Sequence, residues 1–256
     1  MPEKNLVHSV TKALKIIELL AREDELALVE ISQKLGLEKS TAFRLIQTLK
    51  ENRFVVQNEN NKKYGNGYKL FELGQKIPRR SDTLRSAIYP YMKEIAERTG
   101  ETVNLAVRDG LEVIYIEMIQ TEDIIKINDH LGQRRPVFCT SVGKSLLAWL
   151  PESELEDLIR RIEFHPYTPY TVTNPDQLRT ELNFIRENGY FIDTEQHATG
   201  IRCYGTPVLN DNREPIAGLS ISVPQYKFEK NPEKEDLYIS SIREAVSRFS
   251  KDYHSI

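Results

Sequence analysis

The chain has 256 residues, of which 39% are hydrophobic and 29% are charged, and this size and composition predict a globular protein of two ordinary domains. It lacks the run of about 18 apolar residues that a membrane-spanning helix needs, and its first residues do not have the pattern of a secretory signal. Two cysteines, Cys139 and Cys203, cannot form a disulfide framework, so we expect a cytoplasmic protein in which both are buried.

Charge is distributed unevenly along the chain. Residues 1–80 contain 15 Lys and Arg against 10 Asp and Glu, whereas residues 81–256 contain 20 against 28. A basic first part joined to an acidic remainder indicates that only the first part meets a polyanion.

Residues 1–75 are predicted to form three helices and a hairpin. Apolar residues at helical spacing predict helices at Val7–Glu23, in ALVEISQKLG up to Gly36, and from Lys39 to about Asn52. Strand-like segments at Phe54–Gln57 and Tyr64–Leu70 flank a turn-rich segment and predict the hairpin. Three helices with a glycine in the tight connection before the third, followed by a hairpin, are typical of a winged helix-turn-helix domain.

The third predicted helix has two different faces. One face is apolar and would pack on a core through Ala42, Leu45, Ile46 and Leu49. In a helix-turn-helix domain the other face enters the major groove, where Arg44 can pair with guanine and Gln47 with adenine. The expected DNA contacts are Lys39, Ser40, Thr41, Arg44, Gln47 and Thr48 on the helix, and Lys62 and Lys63 on the hairpin. The alternative is an ordinary three-helix bundle whose polar face is merely solvated.

A helical linker is predicted at residues 76–99. Pro78 interrupts the helical pattern, Leu84–Arg98 is amphipathic, and Gly100 closes the segment. Because a charged helical connector is semi-rigid, it would transmit orientation better than a flexible tether.

Residues 100–256 are predicted to form an α+β domain. Alternating apolar residues predict strands at Glu101–Gly110, Leu111–Gln120, Asp123–Leu131, Gly189–Glu195, Gly200–Asn210 and Pro215–Pro224. Helical spacing predicts helices at Gly143–Trp149, Leu155–Ile162, Pro175–Asn188 and from about Glu233 to Ser250. This order is typical of an antiparallel sheet with helices packed on it.

Catalytic motifs find little support in the sequence. TSVGKSLL ends in Gly-Lys-Ser, but Phe138 stands where a phosphate-binding loop needs its first glycine. The five histidines are scattered without metal-ligand spacing, so we expect no metal and no cofactor. The alternative function is a thiol-dependent enzyme that uses Cys139 or Cys203, the latter together with His197 and Asp193.

Several segments together carry a family resemblance. SVTKALKIIELLA, ISQKLGLEKSTAFRLIQTL, KYGNGYKLFELG, LGQRRPVFCTSVGKSLLAWL, ENGYFIDTEQHATGIRCYGTPV and IAGLSIS closely resemble the IclR family of bacterial transcriptional regulators. The resemblance implies a DNA-binding winged helix, a GAF/PAS-like effector-binding domain, no catalytic activity, and assembly into dimers or tetramers. Within the family, KLFELG, SVGKSLLAW and GIRC with AGLSIS are most similar to the repressor of pectin-degradation genes that responds to 2-keto-3-deoxygluconate.

The resemblance also implies an effector pocket that binds a small carboxylate, such as a 2-keto-3-deoxy sugar acid. Carried over by local motif, its residues are Ile124, Arg135, Ser141, Val142, Asp193, Cys203, Ser220 and Ser222. Amides at Ser141–Gly143 and the Arg135 guanidinium would take the carboxylate. Asp193 would accept from ligand hydroxyls, and the two serines share one strand face. The alternative is that Ser220 and Ser222 face solvent and Arg135 is a surface charge.

Overall fold

Two units, Met1–Arg79 and Arg80–Ile256, make up the chain. The computed structural model describes residues 6–76, 79–123, 127 and 129–253. Within that part of the chain, no helix has both the length and the apolar character that crossing a lipid bilayer requires.

The first unit is a winged helix-turn-helix domain, as predicted. Its helices are α1 (His8–Arg22), α2 (Leu28–Leu35), α3 (Lys39–Glu51) and α4 (Lys69–Gly74), and its strands are β1 (Glu25–Leu26), β2 (Val55–Gln57) and β3 (Tyr64–Asn66). The strands form an antiparallel sheet in the order β1-β3-β2. Gly36 ends α2 in the left-handed conformation, with φ +61°, as a tight turn into α3 requires.

The core of this unit explains why α1, α2 and α3 form. Each helix buries one apolar stripe, and the buried side chains meet those of the sheet. The buried residues are Ile16, Leu20, Leu26, Ile31, Ile46, Leu49, Val55 and Tyr64. Leu45, predicted to face inward, is half-buried and packs against this cluster.

Two details of the hairpin prediction are wrong. Strand β1 was not predicted, because two residues are too few to show an alternating pattern. Strand β3 ends at Asn66 instead of Leu70, since the chain enters α4 at Lys69.

The second unit contains one antiparallel sheet in the order β6-β5-β4-β9-β8-β7. Its strands are β4 (Thr102–Asp109), β5 (Glu112–Ile119), β6 (Arg134–Pro136), β7 (Phe191–Thr194), β8 (Ile201–Leu209) and β9 (Pro215–Pro224). Its helices are α5 (Arg79–Thr99), α6 (Ser141–Leu147), α7 (Glu152–Arg161), α8 (Pro175–Asn188), α9 (Gln225–Lys230) and α10 (Glu235–Asp252), and a 3-10 turn spans Val137–Cys139. The predicted α+β class is confirmed.

The two faces of this sheet have different partners, because side chains alternate along each strand. One face packs with α5 and α10 through Leu105, Tyr204 and Ile221, among others. The opposite face packs against α6 and α8, and it carries Cys203, Ser220 and Ser222. The polar residues of the predicted pocket are therefore on the α6 side.

Helix α5 covers most of the segment predicted as a linker. Its residues Leu84, Ile88, Met92 and Ile95 are buried in the core of the second unit. The expected interruption at Pro78 lies outside the described residues.

The strand predicted at Asp123–Leu131 is not supported by its described residues. Residues 124–126 and 128 lie outside the described part, and Asp123, Ile127 and residues 129–131 are not in a strand. The strand at this edge of the sheet is β6 instead. It follows a turn in which Gly132 has φ +80° and its amide donates to the Tyr115 carbonyl at 2.8 Å. Helix α9 was not predicted either.

Candidate DNA-contacting helix and effector cavity

The residues predicted to contact DNA share one polar surface of α3 and the adjoining hairpin. Ala42, Ile46 and Leu49 are buried on the inner side of α3. On the outer side the predicted residues are exposed or half-buried: Lys39, Ser40, Thr41, Arg44, Gln47 and Thr48. Lys62 is exposed and Lys63 half-buried in the hairpin.

The side chains on this surface differ in their availability. Among the described residues, the Arg44 guanidinium has no hydrogen-bond or ion-pair partner, so all its donors can reach a base edge. The Thr48 hydroxyl donates to the Arg44 carbonyl at 2.9 Å, which occupies its proton. Lys63 lies 3.8 Å from Glu30 Oε2, a loose, partly exposed pair that contributes little to stability.

A cavity of about 210 Å³ lies on the α6 side of the sheet in the second unit. Of the predicted pocket residues, it brings together Arg135, Ser141, Asp193, Cys203, Ser220 and Ser222. Ile124 lies outside the described residues. Val142 does not line the cavity, because its side chain packs in the hydrophobic core.

The strand side of the cavity carries buried hydroxyls. Ser220 is 2% exposed and Ser222 4% exposed, so the alternative that they face solvent is wrong. Ser222 Oγ accepts from Asn104 Nδ2 at 3.0 Å and lies 3.4 Å from Cys203 Sγ. Close packing of α6 on β8 is possible because residue 205 is glycine: a Cβ there would lie 2.7 Å from Ser141.

The expected row of free amides at the start of α6 is only partly present. Thr140 caps the helix, and its Oγ1 accepts from the Gly143 amide at 3.2 Å, so that amide is occupied. The Ser141 hydroxyl lines the cavity and has no hydrogen-bond partner among the described residues. Ser141 can therefore offer its hydroxyl to a ligand, whereas Gly143 cannot offer its amide.

Arg135 is half-buried in the cavity wall, so it is not the freely solvated surface charge of the alternative. Its Nη2 donates to Asp129 Oδ1 at 2.8 Å. Within the described part of the chain its other guanidinium donors have no partner, which leaves them available for a carboxylate.

Asp193 is a buried carboxylate with one oxygen engaged. It is 5% exposed, and its Oδ1 accepts from the Gln196 amide at 3.0 Å. Burial raises the pKa of Asp193 to about 6, and the Lys144 ammonium opposes that rise. At neutral pH the side chain is mainly ionised and can accept hydrogen bonds from a ligand.

Sequence reasoning missed several cavity residues. These are Tyr115, Ile127, Asp129, Thr140, Gln196, His197, Ala198 and Ile201. His197 packs against Tyr167, with ring centroids 5.1 Å apart and ring planes tilted by 35°. Burial, followed by the nearby Arg135 charge, lowers the pKa of His197. Position in the chain could have indicated Gln196, His197 and Ala198. Residues 195–200 connect two strands, and each of these strands contributes a predicted pocket residue.

The thiols do not have the properties of nucleophiles. Burial raises the pKa of Cys139 to about 12, and burial followed by the Asp193 charge raises the pKa of Cys203. Because the thiolate is the reactive form, these shifts argue against the thiol-enzyme alternative. The described residues also contain no group of three His, Cys, Asp or Glu side chains placed to hold a metal ion.

An exposed polar recognition helix in a winged helix-turn-helix domain, joined in one chain to an α+β domain with a polar cavity, defines a DNA-binding transcriptional regulator. Residues 9–59 match the IclR helix-turn-helix domain, and residues 80–251 match the bacterial transcriptional regulator IclR C-terminal domain. The chain belongs to the IclR family.

Relatives and solved structures agree with this assignment. The chain is 34% identical to the HTH-type transcriptional regulator KdgR of Dickeya chrysanthemi over 97% of this chain and 81% of the relative. It is also 34% identical to the transcriptional repressor IclR of Escherichia coli, over 87% and 82%. The crystal structure of Thermotoga maritima IclR matches with a TM-score of 0.79 and 35% identity, covering 96% of this chain and 99% of that one.

Proposed function

We propose that this regulator is a repressor whose operator affinity is controlled by a small hydroxylated carboxylate bound in the cavity of the second unit. A 2-keto-3-deoxy sugar acid is the class we favour. The observation that carries the proposal is a cavity lined by hydroxyls, the guanidinium of Arg135 and the two carboxylates of Asp129 and Asp193. Similarity to proteins named as repressors and to KdgR supports the proposal.

Five polar side chains of the cavity have a place in this proposal. Arg135 and the Ser141 hydroxyl take the ligand carboxylate, because the Gly143 amide is already bonded to Thr140. The hydroxyls of Ser220 and Ser222 contact the hydroxyls and keto oxygen of the ligand. Asp193 accepts from a ligand hydroxyl through the oxygen that does not bind Gln196. A preformed polar cavity of this size would give micromolar to millimolar affinity for so small a ligand.

On DNA, α3 reads one half of a palindromic operator and a second copy of the chain reads the other. One winged helix contacts few base pairs, so selectivity requires two copies at a fixed spacing. An apolar row formed by the N-cap residue Val7 and by Val10 and Leu14 of α1 supports a homodimer or homotetramer: these side chains are 64%, 55% and 54% exposed. Contiguous exposed apolar surface is typical of an interaction site.

The ligand can release DNA only if it binds better to the arrangement that does not bind DNA. Coupling free energies of about 1–3 kcal/mol, or 5- to 150-fold in affinity, are typical of allosteric coupling between two sites. We place the protein in the cytoplasm, where its operator would be, and assign no catalytic step to the cavity.

A thermal-shift screen followed by calorimetry tests the ligand class. Sugar-derived acids should raise the melting temperature and release binding heat, whereas the corresponding neutral sugars should do neither, because they lack the group that Arg135 binds. Equal heats for acids and neutral sugars would overturn the carboxylate assignment.

A further inference from the structure

Lys144 is a fully buried lysine behind the cavity. Its relative exposure is 0%, although moving an ammonium out of water costs several kcal/mol unless close partners compensate. Its Nζ lies 2.5 Å from Glu181 Oε2, bonds Gln196 Oε1, and sits 4.6 Å from the ring centroid of Phe191. An apolar side chain could fill this space without that cost, so the charge needs an explanation.

Gln196 connects this ammonium to the cavity. Its side chain is held at both ends, since Oε1 binds Lys144 and Nε2 donates to Glu181 Oε1 at 2.8 Å. Its backbone amide donates to Asp193 Oδ1 at 3.0 Å, and its backbone oxygen accepts from Thr171 Oγ1 at 2.5 Å. A residue bonded at four points cannot rotate freely, and the carboxylate that it binds is fixed in turn.

One carboxylate oxygen of Asp193 is engaged by Gln196, and the other is not. In the described part of the chain, Oδ2 of Asp193 has no hydrogen-bond partner, and Asp193 lines the cavity. The charged and titratable groups placed around it are Lys144 of α6, Glu181 of α8, Cys203 of β8, Cys139, Tyr115, Arg135, Asp129 and His197. Of the two cations, Lys144 is the one that significantly favours the ionised form of Asp193.

We infer that Lys144 is a positioning residue for effector recognition: its buried ammonium holds the Gln196 side chain, and the Gln196 backbone amide holds one oxygen of the Asp193 carboxylate, so that the other oxygen stays free for the ligand. This inference rests on the proposed function only in treating the cavity as the effector site. Lys144 does not line the cavity, yet in this inference it helps to decide which ligands the cavity binds.

The test compares two variants that differ only in the ammonium. Lys144→Met combined with Glu181→Gln removes the charge pair, and Glu181→Gln alone keeps the lysine with a neutral partner. The titration midpoint of Asp193 is followed in the full-length chain by NMR of 13C-labelled aspartate carboxyls, assigned with Asp193→Asn. The midpoint should rise in the double variant relative to Glu181→Gln, because the burial penalty is no longer opposed. An equal midpoint in both would overturn the inference.

A binding measurement follows, with 2-keto-3-deoxygluconate as the probe at pH 7.5. The double variant should bind at least about tenfold more weakly than Glu181→Gln, since a hydrogen bond to a charged acceptor is lost. Gln196→Ala, which leaves the Lys144–Glu181 pair in place but also removes a side chain that lines the cavity, should weaken binding as well. If the double variant does not fold, Lys144→Gln combined with Glu181→Gln takes its place in both measurements. Unchanged affinity in Gln196→Ala would contradict the inference. If the wild type binds no acid, the proposed function fails, and the Asp193 midpoint still judges the part played by Lys144.

Discussion

Asn104 donates its side-chain amide to Ser222 Oγ at 3.0 Å, across the paired strands β4 and β9. Asn104 is 0% exposed, so its side-chain amide depends on this acceptor inside the protein. Because the serine oxygen accepts from Asn104, its own proton is left for Cys203 or for a ligand.

Ser222→Ala should therefore destabilise the protein as well as weaken ligand binding. It leaves the Asn104 amide buried without an acceptor, which typically costs about 1–3 kcal/mol. Urea denaturation of Ser222→Ala against the exposed control Ser247→Ala measures the difference. Equal free energies of unfolding would show that the Asn104 hydrogen bond does not contribute.

Asp193→Asn should stabilise the fold at neutral pH while impairing recognition of the ligand. The pKa of Asp193 is raised from about 3.8 to about 6, so the folded state penalises the ionised form. That penalty is present above about pH 6 and is relieved as the pH falls towards 4. A shift of two units corresponds to about 3 kcal/mol as an upper bound.

The measurement for Asp193→Asn is the difference in free energy of unfolding from the wild type at pH 7.5 and at pH 4.5. The variant should be the more stable protein at pH 7.5, and the difference in free energy of unfolding should be smaller at pH 4.5. A gap that does not change with pH would contradict the burial of this charge.

Arg44→Ala and Lys62→Ala should weaken DNA binding in different ways. Loss of Arg44 should cost about 1–3 kcal/mol on the operator and relax the preference at one base position. Loss of Lys62 should weaken binding to all sequences alike. It should also reduce the slope of log affinity against log salt concentration by about one. Titrations of operator and scrambled DNA at several salt concentrations distinguish the two variants. If Arg44→Ala keeps both affinity and specificity, α3 is not the helix that contacts the bases.

Leu14→Asp should convert the protein to a monomer with poor operator affinity. The side chain is 54% exposed in the unit, so the substitution should leave the fold intact while placing a charge in the proposed interface. Sedimentation velocity at micromolar concentration is the measurement, with the exposed Lys12→Asp on another side of α1 as control. A wild type that sediments as a monomer with and without operator would remove the proposed assembly.

The sequence predicted the long, periodic elements well, and the reasons are local. Helix α8 begins at Pro175 and ends before Gly189 as predicted, because both residues carry boundary signals that do not depend on tertiary structure. Strand β9 matches its predicted limits for a similar reason, since a long alternating run lies between prolines. Strands β1 and β6 were missed, because two or three residues at a sheet edge have no detectable period.

The cavity could be predicted only in part. Ser220, Ser222 and Cys203 lie on long strands, where alternation and the family resemblance together indicated one face. Asp129 and His197 lie outside the strands and helices, and only the three-dimensional fold brings them to the cavity. The Gly143 amide was expected to be free because sequence alone does not show which hydroxyl caps a helix.

The central claim is that an acid bound in the cavity controls DNA binding, and operator titration with and without 2-keto-3-deoxygluconate tests it most directly. The wild type should lose 5- to 150-fold in operator affinity when the acid is present. The double variant Asp193→Ala with Ser222→Ala should bind the operator as before, because the substitutions lie in the second unit, and it should not respond to the acid. The exposed control Asp236→Ala with Ser247→Ala should respond like the wild type. Release of the double variant at the same acid concentration as the wild type would contradict the claim.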